Sequence, residues 1–136
     1  MRLDEDLAWH RLTSAASAVL VTIGPDGAPD PVPFVFTTLP GHRLLTAVDQ
    51  KPKSGRRLAR LDNIEADVRV AVLADHYDDD WSRLWWVRAD GIASVTAERP
   101  PEAPLLEDRY PAYRTDPPHG PWIEIDVRAL TGWSAS

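Results

Sequence analysis

The chain has 136 residues, a formal net charge of −6 at pH 7 and no cysteine. This length predicts one domain spanning residues 1–136, and the lack of cysteine excludes disulfides, thiolate nucleophiles and cysteine-ligated zinc or iron–sulfur clusters. The N-terminus has no signal-peptide pattern, and no segment approaches the roughly 18 consecutive apolar residues of a membrane helix. We therefore expect a soluble, cytoplasmic protein without membrane insertion.

The first half of the chain predicts one helix followed by three strands. Residues 4–16 carry leucines at helical spacing, and Asp4 can cap the start of this helix. Short apolar, β-branched runs then alternate with the turn residues Pro25-Asp26-Gly27 and Pro40-Gly41. This spacing predicts an antiparallel meander whose strands cover residues 18–23, 32–38 and 43–48.

The second half predicts two further helices and three further strands. Asp90-Gly91 lies inside the longest predicted strand and indicates a bulge, because glycine tolerates the bend that a barrel corner needs. Six strands arranged mostly as a meander predict a mainly β fold, a small six-stranded antiparallel barrel with flanking helices, since closure removes unpaired edges. The predicted helices cover residues 54–65 and 102–113, and the strands cover residues 68–74, 83–96 and 122–128.

A short basic run in this acidic chain is the main functional signal. The only two lysines are Lys51 and Lys53, and three arginines follow, so five of the fifteen basic residues lie within ten positions. Ser54 and Gly55 come at the predicted start of a helix, where unpaired N–H groups and the helix dipole attract anions. The run thus predicts a phosphate-binding site, with a solvated helix face as the alternative. The three arginines are Arg56, Arg57 and Arg60.

The predicted helix at residues 54–65 has one apolar side. Leu58, Leu61 and Ile64 lie within about 100° of one another at 3.6 residues per turn. Arg56 and Arg60 fall on the opposite side, so we expect both arginines to project outward.

Several functional classes lack support in the sequence. The isoelectric point near 5.1 and the absence of a second basic stripe argue against nucleic-acid binding. None of the four histidines is paired at i+3 or i+4, so we predict no metal site, and the acidic run Asp78-Asp79-Asp80 is interpreted as a solvated hairpin tip. No nucleophile–base–acid pattern stands out, so the catalytic residues stay unknown and a bound cofactor would supply the chemistry.

The order of these motifs resembles a known family. A strand–PDGAP–strand–turn–strand pattern precedes the run KPKSGRRLARLDNI at residues 51–64, and an apolar strand follows it. This order is similar to the split β-barrel flavin- and deazaflavin-binding superfamily, which includes pyridoxamine phosphate oxidase. The segments HYDDDW (76–81), LWWVRADG (84–91) and GWSA (132–135) resemble an actinobacterial-type branch that uses the deazaflavin coenzyme F420.

The resemblance implies an FMN-binding type of split barrel, a homodimer, and two cofactor sites at the subunit interface. It also implies that the loop and helix after the third strand hold the cofactor phosphate, which carries over to the basic run. Pro33 and Trp86 are the residues that we expect near the cofactor ring, and Trp133 is expected to reach across the dimer. The implied cofactor-binding set is Lys51, Lys53, Ser54, Arg56, Arg57, Pro33, Trp86 and Trp133.

We accordingly expect an F420-dependent oxidoreductase that transfers a hydride between the deazaflavin and an unsaturated small-molecule substrate. F420 is preferred because its phosphate and oligoglutamate tail suit the concentrated cations, and because the third strand ends without the serine- and threonine-rich phosphate loop of many flavin members. Three alternatives stay open: an FMN-dependent oxidase or reductase on the same fold, a non-catalytic F420-binding protein, and a cofactor-free dimeric scaffold.

Overall fold

The computed structural model describes residues 1–48 and 58–136. Seven strands and four α-helices lie within these ranges, and a 3-10 turn at Trp81–Arg83 lies in the loop between the fifth and sixth strands. The strands are β1 (Ala18–Ile23), β2 (Pro29–Phe34), β3 (Thr37–Leu39), β4 (Arg43–Ala47), β5 (Arg69–His76), β6 (Trp85–Thr96) and β7 (Trp122–Ser134). The helices are α1 (Glu5–Ser14), α2 (Ala59–Ala66), α3 (Ala103–Arg109) and α4 (Pro111–Thr115).

All seven described strands form one antiparallel sheet in the order β2-β1-β5-β6-β7-β4-β3. The prediction of a mainly β, antiparallel fold with flanking helices is confirmed. The six-stranded closed barrel is wrong, because the described sheet has seven strands and is open between β2 and β3. The meander is also wrong at one step, since β2 and β3 are consecutive in the chain but lie at opposite edges.

Prolines explain why β2 is an edge strand. Pro29, Pro31 and Pro33 pair with alternate residues of β1, so all three ring nitrogens belong to the same side of the strand. Proline has no N–H to donate, and a strand with three of them on one side cannot bond a further neighbour there. The sheet therefore ends at β2.

Two predicted elements are each divided in the structure. The strand expected at residues 32–38 breaks at Val35 and Phe36, and its two parts become the ends of β2 and β3. The helix expected at residues 102–113 breaks at Tyr110, which takes the extended conformation that a following proline favours. Pro111 then begins α4.

The predicted bulge occurs at the expected place but on the neighbouring strand. Asp90 pairs with Ala129 and Gly91 pairs with Val127, so β7 contains the additional residue, Arg128. Side chains on β7 change phase there: Val127 is buried before the bulge, and Gly132 is buried after it. A single long strand thereby keeps its apolar side toward the core along its full length.

The main core lies between the inner face of the sheet and helices α1 and α2. Asp4 caps α1 as predicted, its carboxylate accepting a hydrogen bond from the Leu7 N–H at 2.8 Å. Leu61 and Ile64 of α2 are 3% and 1% exposed, which confirms the predicted apolar side of that helix. Among the helices of the described ranges, none is long and apolar enough to cross a membrane.

A buried carboxylate on α3, that of Glu107, forms an ion pair with Arg99. Glu107 is 9% exposed and accepts two hydrogen bonds from the Arg99 guanidinium, which hold the pKa of Glu107 below its ordinary value of 4.5. A carboxyl group with a lowered pKa in the folded state stabilises the fold above its unfolded pKa. That stabilisation is lost as the pH falls through the folded pKa.

We predict that the midpoint of thermal unfolding falls less steeply between about pH 5 and pH 3 in Glu107→Gln than in the unmodified protein. Circular dichroism melts across that range measure the slope. Glu98→Gln, which replaces an exposed acid, serves as the control and should keep the original slope. Parallel slopes for the unmodified protein and Glu107→Gln would show that the ion pair makes no pH-dependent contribution.

Candidate functional site

One cleft lies where the edge strand β2 meets β4, α2 and α4. Its volume is about 280 Å³, and Arg60 supplies the only charged side chain among its described lining residues. We call it the Arg60 cleft. It is lined by Pro33, Phe34, Val35, Thr46, Ala47, Arg60 and Tyr113.

The break between β2 and β3 forms one wall of the Arg60 cleft. The Thr46 hydroxyl donates to the Val35 carbonyl at 2.7 Å. The Tyr110 hydroxyl accepts from the Phe36 N–H at 3.2 Å and lies 2.8 Å from the Phe36 carbonyl. These bonds satisfy backbone groups that a continuous strand would have paired in the sheet, so the wall has a fixed shape.

The partly buried Arg109 bonds to the same wall. Its guanidinium donates to the carbonyls of Phe36, Thr13 and Ala15, and its planar fork can bridge these separate segments at once. Tyr110 follows directly and packs edge-on against Tyr113, with ring centroids 5.9 Å apart. The break in the predicted helix therefore has a structural role, because it directs Tyr110 to the wall and Tyr113 into the cleft.

Helix α2 positions Arg60 from the other side. Asn63 is 4% exposed, and its amide lies 3.0 Å from both the Thr22 hydroxyl and the Asp30 carboxylate, which fastens α2 to the β1–β2 hairpin. Asn63 and Ile64 are three and four residues after Arg60, so both lie on its side of the helix. Because both are buried, Arg60 is partly buried too, and the prediction that it projects outward is wrong.

The electrostatics of Arg60 differ from those of the other arginines in the described ranges. Burial lowers its pKa from the ordinary value of 12.5, an effect that the nearby Tyr113 partly opposes. No carboxylate among the described residues forms an ion pair with it, whereas Arg43, Arg69, Arg88, Arg99 and Arg128 each pair with an acid. A partly buried cation without a counter-ion favours an anionic or strongly accepting ligand.

The predicted phosphate-binding residues Lys51, Lys53, Ser54, Arg56 and Arg57 lie outside the described residues, and their role stays a prediction. The described residues that border this run belong to elements of the Arg60 cleft. Val48 follows β4 and donates its N–H to the Pro121 carbonyl at 2.8 Å. Leu58 precedes α2 by one position.

A second cleft lies on the outer face of the sheet, at the loop end of the β5–β6 hairpin. Trp86 and Trp133 are cross-strand neighbours there and are 38% and 37% exposed. Its volume is about 410 Å³. We call it the aromatic groove; it is lined by Asp75, His76, Tyr77, Leu84, Trp85, Trp86 and Trp133.

The predicted ring contacts are thus divided between two clefts. Pro33 lines the Arg60 cleft, whereas Trp86 and Trp133 line the aromatic groove. The two clefts share no described lining residue. Sequence reasoning included Arg60 in the basic run but expected it to project outward, and it missed Thr46 and Tyr113. The polar Asn63, three residues after Arg60, was an available signal that α2 is buried on more than one side.

The acidic and histidine side chains of the described ranges form no metal-binding cluster. Across residues 1–48 and 58–136, no group of three His, Asp or Glu side chains is arranged to hold a metal ion. In the hairpin tip, Asp78 accepts the Asp80 N–H at 2.8 Å, and Asp80 accepts the Ser82 hydroxyl at 2.6 Å. These carboxylates cap their own turn, as expected of a hairpin tip.

Comparisons with known proteins identify the fold. No protein-family model and no curated protein sequence matches the chain. The structure is similar to that of an FAD-binding protein from Mesorhizobium loti, with a TM-score of 0.70, 17% identity and coverage of 97% of this chain and 95% of that one. An FAD-binding protein from Mycobacterium smegmatis gives 0.63 and 20%, with coverage of 98% and 97%.

A candidate pyridoxamine 5'-phosphate oxidase from Corynebacterium glutamicum is also similar, with a TM-score of 0.63 and 19% identity over 97% of this chain and 90% of that one. At these identities the likeness establishes a common fold and no more. The chain therefore has the fold of proteins named as FAD-binding and as candidate pyridoxamine 5'-phosphate oxidases.

Proposed function

We propose that the protein is an oxidoreductase that uses a bound flavin-type cofactor, with the deazaflavin F420 as the preferred one. The observation that carries the proposal is Arg60, a partly buried cation in a cleft where no described carboxylate pairs with it. An uncompensated cation in a cleft is costly unless a ligand supplies an acceptor or a negative charge. The fold shared with proteins named as FAD-binding supports the same reading.

The residues of the Arg60 cleft fit such a cofactor. Pro33 and Ala47 offer small apolar surfaces for one face of a planar ring, and Arg60 would donate hydrogen bonds to its carbonyl or phosphate oxygens. The Lys51–Arg57 run would hold the anionic tail. When bound, the cofactor would supply two-electron reduction of an unsaturated substrate, while the chain orients the ring and excludes water.

Charge favours F420 over FMN or FAD. The cofactor's oligoglutamate tail carries several negative charges, and five cations in ten residues of an acidic protein suit a ligand of that kind. FMN or FAD is the second candidate, because the names of the similar structures specify FAD. Both kinds of cofactor would place their negatively charged end at the basic run Lys51–Arg57.

A homodimer is also part of the proposal. The outer face of the sheet is apolar beside the aromatic groove: Leu73 is 41% exposed, Val19 is its cross-strand neighbour on β1, and Ala71 lies two residues before it on β5. A two-fold copy of this chain would cover such a face with itself. Light scattering should give about twice the mass of one chain, and a concentration-independent monomer would contradict this part.

The first test is a titration of the purified protein with F420, FMN and FAD, followed by tryptophan fluorescence and calorimetry. We expect F420 to bind most tightly. Replacing Lys51 and Lys53 together by alanine should weaken F420 about tenfold, equivalent to about 1.4 kcal/mol, because two cations near the tail are lost. Arg114→Ala with Arg128→Ala removes two exposed arginines outside both clefts and serves as the charge-matched control.

The outcomes separate the alternatives. Tighter binding of FMN or FAD would select the second candidate, and F420 binding without turnover of any enone or other conjugated acceptor would indicate a non-catalytic binder. If no cofactor binds or raises the melting temperature, the protein is a cofactor-free scaffold and the proposal fails. Equal weakening by the control pair would remove the assignment of the tail to residues 51–57.

A further inference from the structure

The aromatic groove has features of a second ligand site. Four aromatic side chains and Leu84 line it, and two of its indoles keep more than a third of their surface in water. Large aromatic surface exposed in a concave site is typical of ligand pockets, and 410 Å³ lies within their usual range of about 300–1,000 Å³. The Arg60 cleft does not account for this groove, because its described lining residues are different.

The backbone gives the groove a flat floor. Asp75, Trp86 and Trp133 are cross-strand neighbours on β5, β6 and β7, so their side chains leave the sheet on the same face. Two adjacent indoles on a pleated sheet form a platform on which a planar ring can stack. Tyr77 and Leu84, the first and last residues of the loop between β5 and β6, line the groove beside this floor.

The charged groups around the platform favour one ligand charge. Asp75 is an exposed acid at one end of the row, and no Lys or Arg is among the described residues that line the groove. The nearest arginine on β6, Arg88, is bound to Asp90, and Arg83 lies near Asp78. The His76 ring lies 3.5 Å from Asp78. Two arginines lie beside the groove: Arg2 forms a backbone bridge to Trp133, and the Arg11 guanidinium is 5.5 Å from the centroid of the Trp85 ring. Neither is a described lining residue, whereas Asp75 is the only carboxylate among those residues.

We propose that the aromatic groove binds a planar conjugated molecule that carries an amino group or a positive charge, and that this molecule is distinct from the cofactor. The rings of Trp86 and Trp133 stack on the ligand, and their π-faces attract its positive charge. Asp75 accepts a hydrogen bond from its amino group. This site does not depend on the cofactor, and it would hold such a ligand even if the Arg60 cleft bound none.

The test uses the tricyclic cation proflavine as the probe, with the tricyclic anion 9-anthracenecarboxylate as its counterpart, on the full chain. We expect one proflavine per chain, bound more tightly than the anion. Trp86→Ala and Trp133→Ala should each weaken proflavine about tenfold, the loss of one stacking partner. Asp75→Asn should weaken proflavine about threefold through the lost charge.

Trp81→Ala provides the matched control, because Trp81 is 68% exposed on the same hairpin but does not line the groove. It should leave proflavine affinity unchanged, and circular dichroism of each variant confirms the fold. Unchanged affinity in both groove variants, an equal loss in Trp81→Ala, or tighter binding of the anion would overturn the proposal. So would a loss of F420 or FMN affinity in Trp133→Ala with proflavine unaffected, which would assign the groove to the cofactor of the partner subunit.

Discussion

Gly91→Ala should destabilise the fold by about 3 kcal/mol and lower the melting temperature by about 10 °C. A Cβ at this position would lie 2.6 Å from the Asp126 carbonyl oxygen and 2.9 Å from Cγ2 of Ile125. Both neighbours belong to β7, the partner strand that the bulge at Arg128 brings against β6. Backbone cannot yield as a flexible side chain can, so the two strands would have to separate.

Ser94→Ala is the matched control for this substitution. Ser94 lies on the same strand, pairs with Glu124 and is exposed, so we expect a change within about 0.5 kcal/mol. Chemical denaturation with both variants gives the two free energies of unfolding. A stability for Gly91→Ala equal to that of Ser94→Ala would show that β6 and β7 are not in close contact at the bulge.

Arg60→Met should weaken cofactor binding about 30-fold, or about 2 kcal/mol, the usual worth of hydrogen bonds to a charged group. Methionine keeps an unbranched side chain of similar reach but removes the charge. Because Arg60 is partly buried and pairs with no described carboxylate, its replacement should leave the stability of the unliganded protein unchanged or raise it. Loss of affinity without loss of stability is the signature of a ligand-binding cation.

Arg128→Met controls for a general loss of positive charge. Arg128 is 64% exposed at its side chain and pairs with Asp126, away from the Arg60 cleft. Isothermal titration of both variants with the tightest-binding cofactor gives the comparison. Equal affinities of Arg60→Met and Arg128→Met would show that Arg60 does not bind the cofactor.

Local patterns in the sequence predict most individual elements of this fold. The Asp4 cap, the β1 strand and the alternation of Ile123, Ile125 and Val127 are all found in the structure. Each depends on residues close together in the chain, for which periodicity and capping are direct physical signals. The bulge near Gly91 was likewise predictable from a local signal, the Asp90-Gly91 pair.

The arrangement of the sheet was predicted wrongly because a local signal was overlooked. Three alternating prolines in β2 already indicate an edge strand, and an edge strand is incompatible with closure through it. The separation of β2 from β3 was harder to predict. It depends on Arg109 and Tyr110, more than 70 residues away in the chain, whose bonds to Phe36 no periodicity reveals.

The candidate site was predicted in part. Pro33 was expected at the site and lines the Arg60 cleft. Arg60 was expected to project outward because only Leu58, Leu61 and Ile64 were counted as the buried side of α2. The amide of Asn63 turns a second side of that helix toward the β1–β2 hairpin. Asn63 bonds to Asp30 and Thr22, which lie 33 and 41 residues away in the chain. These contacts set the direction of Arg60, and no local sequence pattern encodes them.

The most direct measurement is a crystal structure of the protein with its tightest-binding cofactor. We expect the ring against Pro33 within hydrogen-bonding distance of Arg60, and the phosphate and tail along residues 51–57. A cofactor bound elsewhere, making no contact with the Arg60 guanidinium, would contradict the assignment of this cleft as the redox site.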